Sequence, residues 1–473
     1  MPPRLQPERH GALARANFNL VVPLAHEATA MRTTDTAGSH RAESGAVSPP
    51  SDRQGDVDGT KGRSTPATPT TPGLRTSTTA TRTTTTRTTS SEPAPSADQA
   101  AADTAPDHAD FSFAELVQAY LDCRRNKRNS RSALAFEQDL ERNLLQLRDD
   151  LADGSYRPGR SICFVVTRPK AREVLAADFR DRVVHHLLYN HVAPRFHAAF
   201  IADSCACIPG RGTLYAAKRL EAKIRSITQN WSKPAWYLKC DLANFFVAID
   251  KRVLLGQLSA RISEPWWRNL AELILMHDPR PDLVMQSGER MRARVPPHKS
   301  LLNQPAHKGL PIGNLSSQFF ANIYLDPLDQ YVKHVLRCRH YIRYVDDFLL
   351  LHESPDWLNA ALADIAAWLP RELGARLNPA KTILQPIARG VDFVGHVIKP
   401  WRRSIRRRTF NDALHRVAGI AEADLFTTAN SYFGLLRQSP QSHGDRVRLA
   451  NLVLGRGLSV NRALTKSYRK GIA

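Results

Sequence analysis

RYVDDFLLL, residues 343–351, is the stretch on which the fold turns. Tyr344, Val345, Phe348 and the leucine run favour strand, yet Asp346 and Asp347 interrupt it. A charged carboxylate is costly to bury unpaired, while aspartate suits tight turns. The pattern predicts two short strands over 340–352 with a tight turn at Val345–Asp347. Alone, the dipeptide is ordinary turn chemistry.

A third aspartate changes the reading. YLKCDLANFFVAI (237–249) is an apolar strand that runs through Asp241 into a turn or helix start. Two adjacent strands can bring Asp241 against Asp346 and Asp347. Three clustered carboxylates repel and raise one another's pKa values. Divalent cations offset that repulsion, and an all-oxygen donor set suits Mg²⁺, with Mn²⁺ able to substitute. Two such ions ~3.5–4 Å apart serve in-line phosphoryl displacement.

The formal charge is +21. Residues 1–109 hold 11 basic and 11 acidic side chains, so the whole excess falls on 110–473. A region this basic suits a polyanion, nucleic acid foremost; a basic solvated surface is the plainer alternative. No apolar run approaches the ~18 residues a spanning helix needs, and NFNLVVPLA is a poor signal-peptide core. The expectation is a soluble cytoplasmic protein with no membrane partner. The six cysteines form no C-x2-C pair, so they read as free thiols.

The Thr-, Ala- and Pro-rich stretch 1–109 buries too little apolar surface to offset its ordering entropy and reads as a disordered tail. From Phe111 a helical pattern carries a basic patch, Arg124, Arg125, Lys127, Arg128 and Arg131. ICFVVTRP reads as a strand closed by Pro169, and FRDRVVHHLLYNHVAPRF as a helix. LPIGNLSSQFFANIYLDPLDQYVKHVL (310–336) reads as a Gly-containing loop opening a long helix. WLNAALADIAAWLPRELGARL is an amphipathic helix, and GVDFVGHVI a strand pair. From about 407 the pattern is helical to the end.

The motifs from about 111 to 470, some three quarters of the chain, resemble a reverse transcriptase in order. Asp241 in KCDLANFF matches the first catalytic aspartate, and Tyr344-Val345-Asp346-Asp347 the Y-x-D-D box. The resemblance implies an α+β right-hand polymerase preceded by a disordered N-terminal tail. Fingers would span 110–235, a palm 236–400 and a helical thumb 401–473. Asp241 and Asp346 would bridge two Mg²⁺ ions, with Asp347 and the Leu242 carbonyl contributing. Phe246 matches an aromatic gate beneath the sugar that selects deoxynucleotides; core packing is its other reading. Lys170 and Arg172 match residues that grip the triphosphate, and Arg211 in GRGT a turn near the template. Lys381 in LNPAKT matches a proton donor to the leaving pyrophosphate. Arg402, Arg403, Arg406 and Arg407 in WRRSIRRR would track the duplex backbone.

The subtype rests on Ile312-Gly313-Asn314-Leu315-Ser316-Ser317-Gln318. Group II intron and retroviral-type enzymes usually have Q-G-x-x-x-S-P there. The form found here resembles the reverse transcriptases of diversity-generating retroelements, as do LDCRRNKRNS, YFGLLRQ and LTKSYRK. Ile312 and Gly313 would then bear on fidelity and Gln318 on nucleotide binding. The implied activity is RNA-directed DNA synthesis, error-prone at template adenines. Its partners would be template RNA, primer, cDNA, dNTPs and a small helical accessory oligomer, in a bacterial or phage-encoded system. A defence-associated anti-phage reverse transcriptase is the alternative; a catalytically silent RNA-binding scaffold is the reading from another class.

Overall fold

The computed structural model describes residues 110–125, 130–167 and 170–469. The expected disordered tail, Lys127, Arg128 and Pro169 lie outside the described residues. Helix α1 (Phe113–Arg124) starts at Ser112, whose hydroxyl accepts the Glu115 N–H while the Glu115 carboxylate accepts the Ser112 N–H, a reciprocal cap. Helices α2 (Arg131–Glu137) and α3 (Leu140–Ala152) follow. Strands β1 (Ile162–Val166) and β2 (Arg172–Ala176) form an antiparallel hairpin, and α4 (Phe179–Ala199) and α5 (Thr213–Ile227) come next.

Strand β3 (Trp236–Asp241) leads into the short α6 (Phe245–Ala248), then α7 (Lys251–Ser259) and α8 (Pro265–Met276). A two-residue strand β4 (Val284–Met285) lies parallel to β1, with Ile162 opposite Val284; no strand is expected there from the sequence. Helices α9 (Glu289–Arg292) and α10 (Leu315–Gln330), strands β5 (His340–Tyr344) and β6 (Asp347–His352), helix α11 (Pro355–Leu373) and strand β7 (Ile383–Pro386) complete the central region.

The central sheet has the order β5-β6-β3-β7, antiparallel throughout. Both faces are covered. Leu238, Cys240, Phe348 and Leu350 face a core shared with α4, α7, α8, α10 and α11. Tyr237, Leu349 and Leu351 face a second core with Leu220 and Ile224 of α5. Burial on both sides explains why β6 is an unbroken apolar run rather than an alternating one.

Strands β8 (Val391–Phe393), β9 (His396–Lys399) and β10 (Arg402–Ile405) form a small sheet. Helices α12 (Arg407–Gly419), α13 (Glu422–Leu436) and α14 (His443–Gly455) then enclose a third core around Phe410, Phe433 and Leu449. The expected helical run to the chain end is corrected by the hairpin β11 (Leu458–Val460) and β12 (Ser467–Arg469). Asn430 of α13 holds β12 by a reciprocal pair of bonds to the Ser467 backbone. Among the described residues no helix is long and apolar enough to cross a membrane.

Candidate active site

The pairing of β3 with β6 sets Asp241 directly opposite Asp347. The β5–β6 hairpin closes with Tyr344 opposite Asp347, leaving Val345 and Asp346 as a two-residue turn. Asp346 therefore stands next to the paired carboxylates. The three expected aspartates converge because one register brings one strand's C-terminal end beside one hairpin turn.

Their surroundings are drier than those of an ordinary surface turn. Asp241 is buried, and Asp346 and Asp347 are half-buried. Burial raises the Asp346 pKa, with Asp241 adding to it; Lys381 and Arg172 act the other way. Burial likewise raises Asp347, to about 6, against the pull of Lys239. Cys240, in β3 opposite Phe348, is pushed up to about 12 by burial and by the Asp347 and Asp241 carboxylates.

Two lysines meet the carboxylates. Lys381 Nζ donates to Asp241 Oδ1 at 2.5 Å. Lys239 Nζ lies 3.0 Å from Asp347 Oδ2 and donates to the Asp392 carbonyl of β8. Asp347 Oδ1 is buried without a hydrogen-bond partner. Among the described residues no three His, Cys, Asp or Glu side chains stand at metal-ligating spacing. The donor set still fits a divalent cation: an orphaned buried carboxylate oxygen beside two more carboxylates, their charges held costly by burial.

The backbone around Asp241 is fastened on one side. Asn378 N donates to the Asp241 carbonyl and Ala243 N to Arg376, bracketing a bridge between Leu242 and Leu377. These bonds do not draw on the Leu242 carbonyl. Asn244 then turns through φ +49 into α6. Phe246, in α6, is half-buried against Phe245, with ring centroids 5.3 Å apart.

The Ile312–Gln318 loop is stitched to β2. Leu175 N donates to the Ile312 carbonyl and Ala177 N to Asn314 Oδ1. Gly313 has φ +129, and a Cβ there would meet Val174 Cγ1 at 2.9 Å. Gln318 lies in the first turns of α10, its Oε1 accepting from Cys207 Sγ at 3.6 Å. Lys170 and Arg172 are exposed at the entry of β2.

The arginines divide. Arg402 and Arg407 are exposed. Arg406 is paired to Asp392. Arg403 is corrected: alternation along β10 turns it inward, where it is 5% exposed, donating to Glu221 and the Gln438 carbonyl. Arg211 is corrected in part, since its Nη1 donates to the carbonyls of Ile201 and Ser204 and so braces its own loop. Sequence reasoning passed over Lys239, which meets Asp347, and Asn378, which meets Asp241. A charged residue inside the strand YLKCD was the available signal for the first.

Residues 166–398 match the family model described as reverse transcriptase (RNA-dependent DNA polymerase). A curated relative, the putative COX1/OXI3 intron 2 protein of Saccharomyces cerevisiae, is 22% identical over 225 residues, 36% of this chain and 24% of that protein. The chain thus spans about a quarter of that relative's length. Among solved structures, telomerase from Candida albicans in complex with a TWJ fragment of telomeric RNA has a TM-score of 0.40 at 13% identity, covering 64% of this chain and 54% of that one. Apo telomerase from Candida tropicalis has a TM-score of 0.40 at 12% identity, covering 63% and 57%.

Proposed function

We propose that this chain, whose residues 166–398 form a reverse transcriptase domain, copies an RNA template into cDNA. The observation that carries the reading is the register pair Asp241–Asp347 with Asp346 in the adjoining two-residue turn. Asp241 and Asp346 would hold divalent cations, Mg²⁺ or Mn²⁺, with Asp347 and the Leu242 carbonyl contributing. Such ions supply charge neutralisation at the attacking and leaving oxygens. The remaining work belongs to the chain. Asn378 and the Leu242–Leu377 bridge fix the Asp241 backbone. Lys381, from its place on Asp241, is within the site and can deliver a proton to the leaving group. Lys170 and Arg172 neutralise the triphosphate, and Arg172 already lowers the Asp346 pKa from β2. Phe246 limits space beneath the sugar.

In this reading residues 110–235 serve as fingers, 236–400 as palm and 401–473 as thumb. The partners are a template RNA, a primer, dNTPs and the cDNA product, with a small helical accessory oligomer in the retroelement setting. The finer assignment, a diversity-generating retroelement enzyme, rests on Ile312-Gly313 with Ser317-Gln318. Ile312 offers no hydrogen bond to a template–nucleotide pair, so geometry there is checked less strictly.

The test is primer extension on a defined RNA template with Mg²⁺ and four dNTPs, followed by cDNA sequencing. Product with errors concentrated at template adenines is expected. Product with evenly spread errors keeps the polymerase and favours the anti-phage alternative. Metal-independent RNA binding with no product, accessory protein and native RNA included, would return the scaffold reading.

A further inference from the structure

The turn that carries Asp346 is held from inside the protein by a side chain with no part in the proposed chemistry. Arg343, next to Tyr344 in β5, is fully buried, and so is Asp329 near the end of α10. Arg343 Nε donates to Asp329 Oδ1 at 2.7 Å and Nη2 to Oδ2 at 2.6 Å. Nη2 also donates to Ser204 Oγ at 3.0 Å. Nη1 donates to Asn322 Oδ1 at 3.2 Å and to the Val345 carbonyl at 3.1 Å. A guanidinium has five N–H donors, and all five have acceptors here. Tyr341 OH completes the cluster on Asp329 Oδ1 at 2.7 Å.

The bond to Val345 is the informative one. Val345 has φ +56, a left-handed conformation that a β-branched residue rarely adopts and that surrounding structure must enforce. Its carbonyl belongs to the peptide that leads into Asp346. The same guanidinium grips Asn322 and Asp329 of α10, whose leading loop is fastened to β2 through Ile312. A buried ion pair is seldom better for stability than apolar packing. What this pair supplies that apolar packing cannot is five fixed directions.

We propose that Arg343, gripped by Asp329, is a positioning residue for nucleotidyl transfer: it locks the Val345–Asp346 peptide in its left-handed turn, aims Asp346, and refers that aim to α10. The proposal rests on the reading of Asp346 as part of a polymerase site.

The test compares the full chain with Arg343→Lys, which keeps the charge facing Asp329 but loses the planar fork. Misplacing a reacting group by about 1 Å can cost about 10²-fold in rate. The expected result is therefore a kcat lower by at least about 30-fold, with dNTP KM and primer–template Kd within about threefold. A structural role alone would not confine the loss to kcat. Val345→Gly removes the conformational penalty, so adding Arg343→Lys to that background should cost at least about fivefold less than it does alone. A folded Arg343→Lys protein with kcat within threefold of the parent, or fully additive losses in the double variant, overturns the proposal. Should Arg343→Lys fail to fold, hydrogen exchange on the unsubstituted chain decides. Residues 340–348 exchanging as slowly as α10 support the clamp; exchange as fast as the exposed residues 288–290 overturns it. A parent protein with no incorporation at all refutes the polymerase reading instead.

Discussion

Lys381 Nζ lies 2.5 Å from Asp241 Oδ1, so one of the proposed cation ligands shares its charge with an ammonium that is itself 47% exposed. Replacing Lys381 by alanine should have two separable effects. Loss of a proton donor lowers the chemical step by about 10²-fold. Release of Asp241 from the ion pair lowers the Mg²⁺ concentration for half-maximal activity. Single-turnover extension across a Mg²⁺ titration reads both; an unchanged rate would remove Lys381 from the chemistry.

The paired strands predict a clean division between chemistry and binding at Asp346 and Asp347. Asp346→Asn combined with Asp347→Asn should reduce incorporation at least about 10³-fold, as loss of an electrostatic stabiliser does. Salt-sensitive RNA binding should stay within about twofold, because that affinity comes from basic side chains. Filter binding and extension on one preparation settle the matter. Retained activity would sink the metal-site assignment.

Gly313 has no room for a side chain. Gly313→Ala places a Cβ 2.9 Å from Val174 Cγ1 and 3.3 Å from the Leu175 carbonyl, at φ +129. It should destabilise the fold by about 1–3 kcal/mol in urea titration. Val174→Ala in addition should recover only part of this, since the backbone strain stays. Ile312→Gln, next door, should leave stability near the parent's and lower misincorporation opposite template adenine. An unchanged adenine error rate in sequenced cDNA would count against the fidelity role.

Arg403 and Arg407 should behave oppositely. Arg403→Ala takes the side-chain donor from the Gln438 carbonyl and leaves Glu221 with Arg225 as its remaining guanidinium partner; it should cost about 1–3 kcal/mol of stability, with nucleic-acid affinity kept at a temperature where it is folded. Arg407, 69% exposed, should do the reverse: unchanged melting, weaker RNA–DNA duplex binding, and a salt slope smaller by about 1.

Acid should loosen the small sheet first. His396 is fully buried, and burial, with the Arg403 charge adding to it, pulls its pKa down to about 4 against the opposing pull of Gln438 and Asp392. Burial does the same to His197 and His340. The unfolded chain binds protons on these rings near pH 6.5, so stability is highest above that pH. It falls as pH drops toward 4, by about 2 kcal/mol between pH 7 and 5 for His396 alone. Urea midpoints against pH should follow that slope, and His396→Leu should flatten it.

The carboxylate triad was legible because strand propensity and two misplaced charges conflict only where a turn resolves them. The long helix α10 and its glycine loop were legible from apolar spacing. Arg403 was misread because a run of arginines looks uniformly exposed, while strand alternation sends every second one inward. Arg343 was passed over for the related reason that its five acceptors come from three separate segments: Ser204, Asn322 with Asp329 on α10, and Val345 in its own turn. Strand β4 is two residues long and paired to β1, below what local patterning can signal. The hairpin β11–β12 is short too, and its anchor to Asn430 is a tertiary contact.

The parallel contact of β4 with β1 also bears on how the chain folds as it is made. Val165 N donates to Ser287 Oγ across 122 residues, and Glu173 waits for Ser300 and Leu301. At about 5–20 residues per second of synthesis, the β1–β2 hairpin leaves the ribosome about 6–25 seconds before the segment that closes its outer edge. During that interval β1 presents an unsatisfied strand edge, open to mispairing. Slower translation before residue 284 would lengthen this exposure, so the yield of correctly folded protein should depend on codon choice there even though the finished sequence is unchanged.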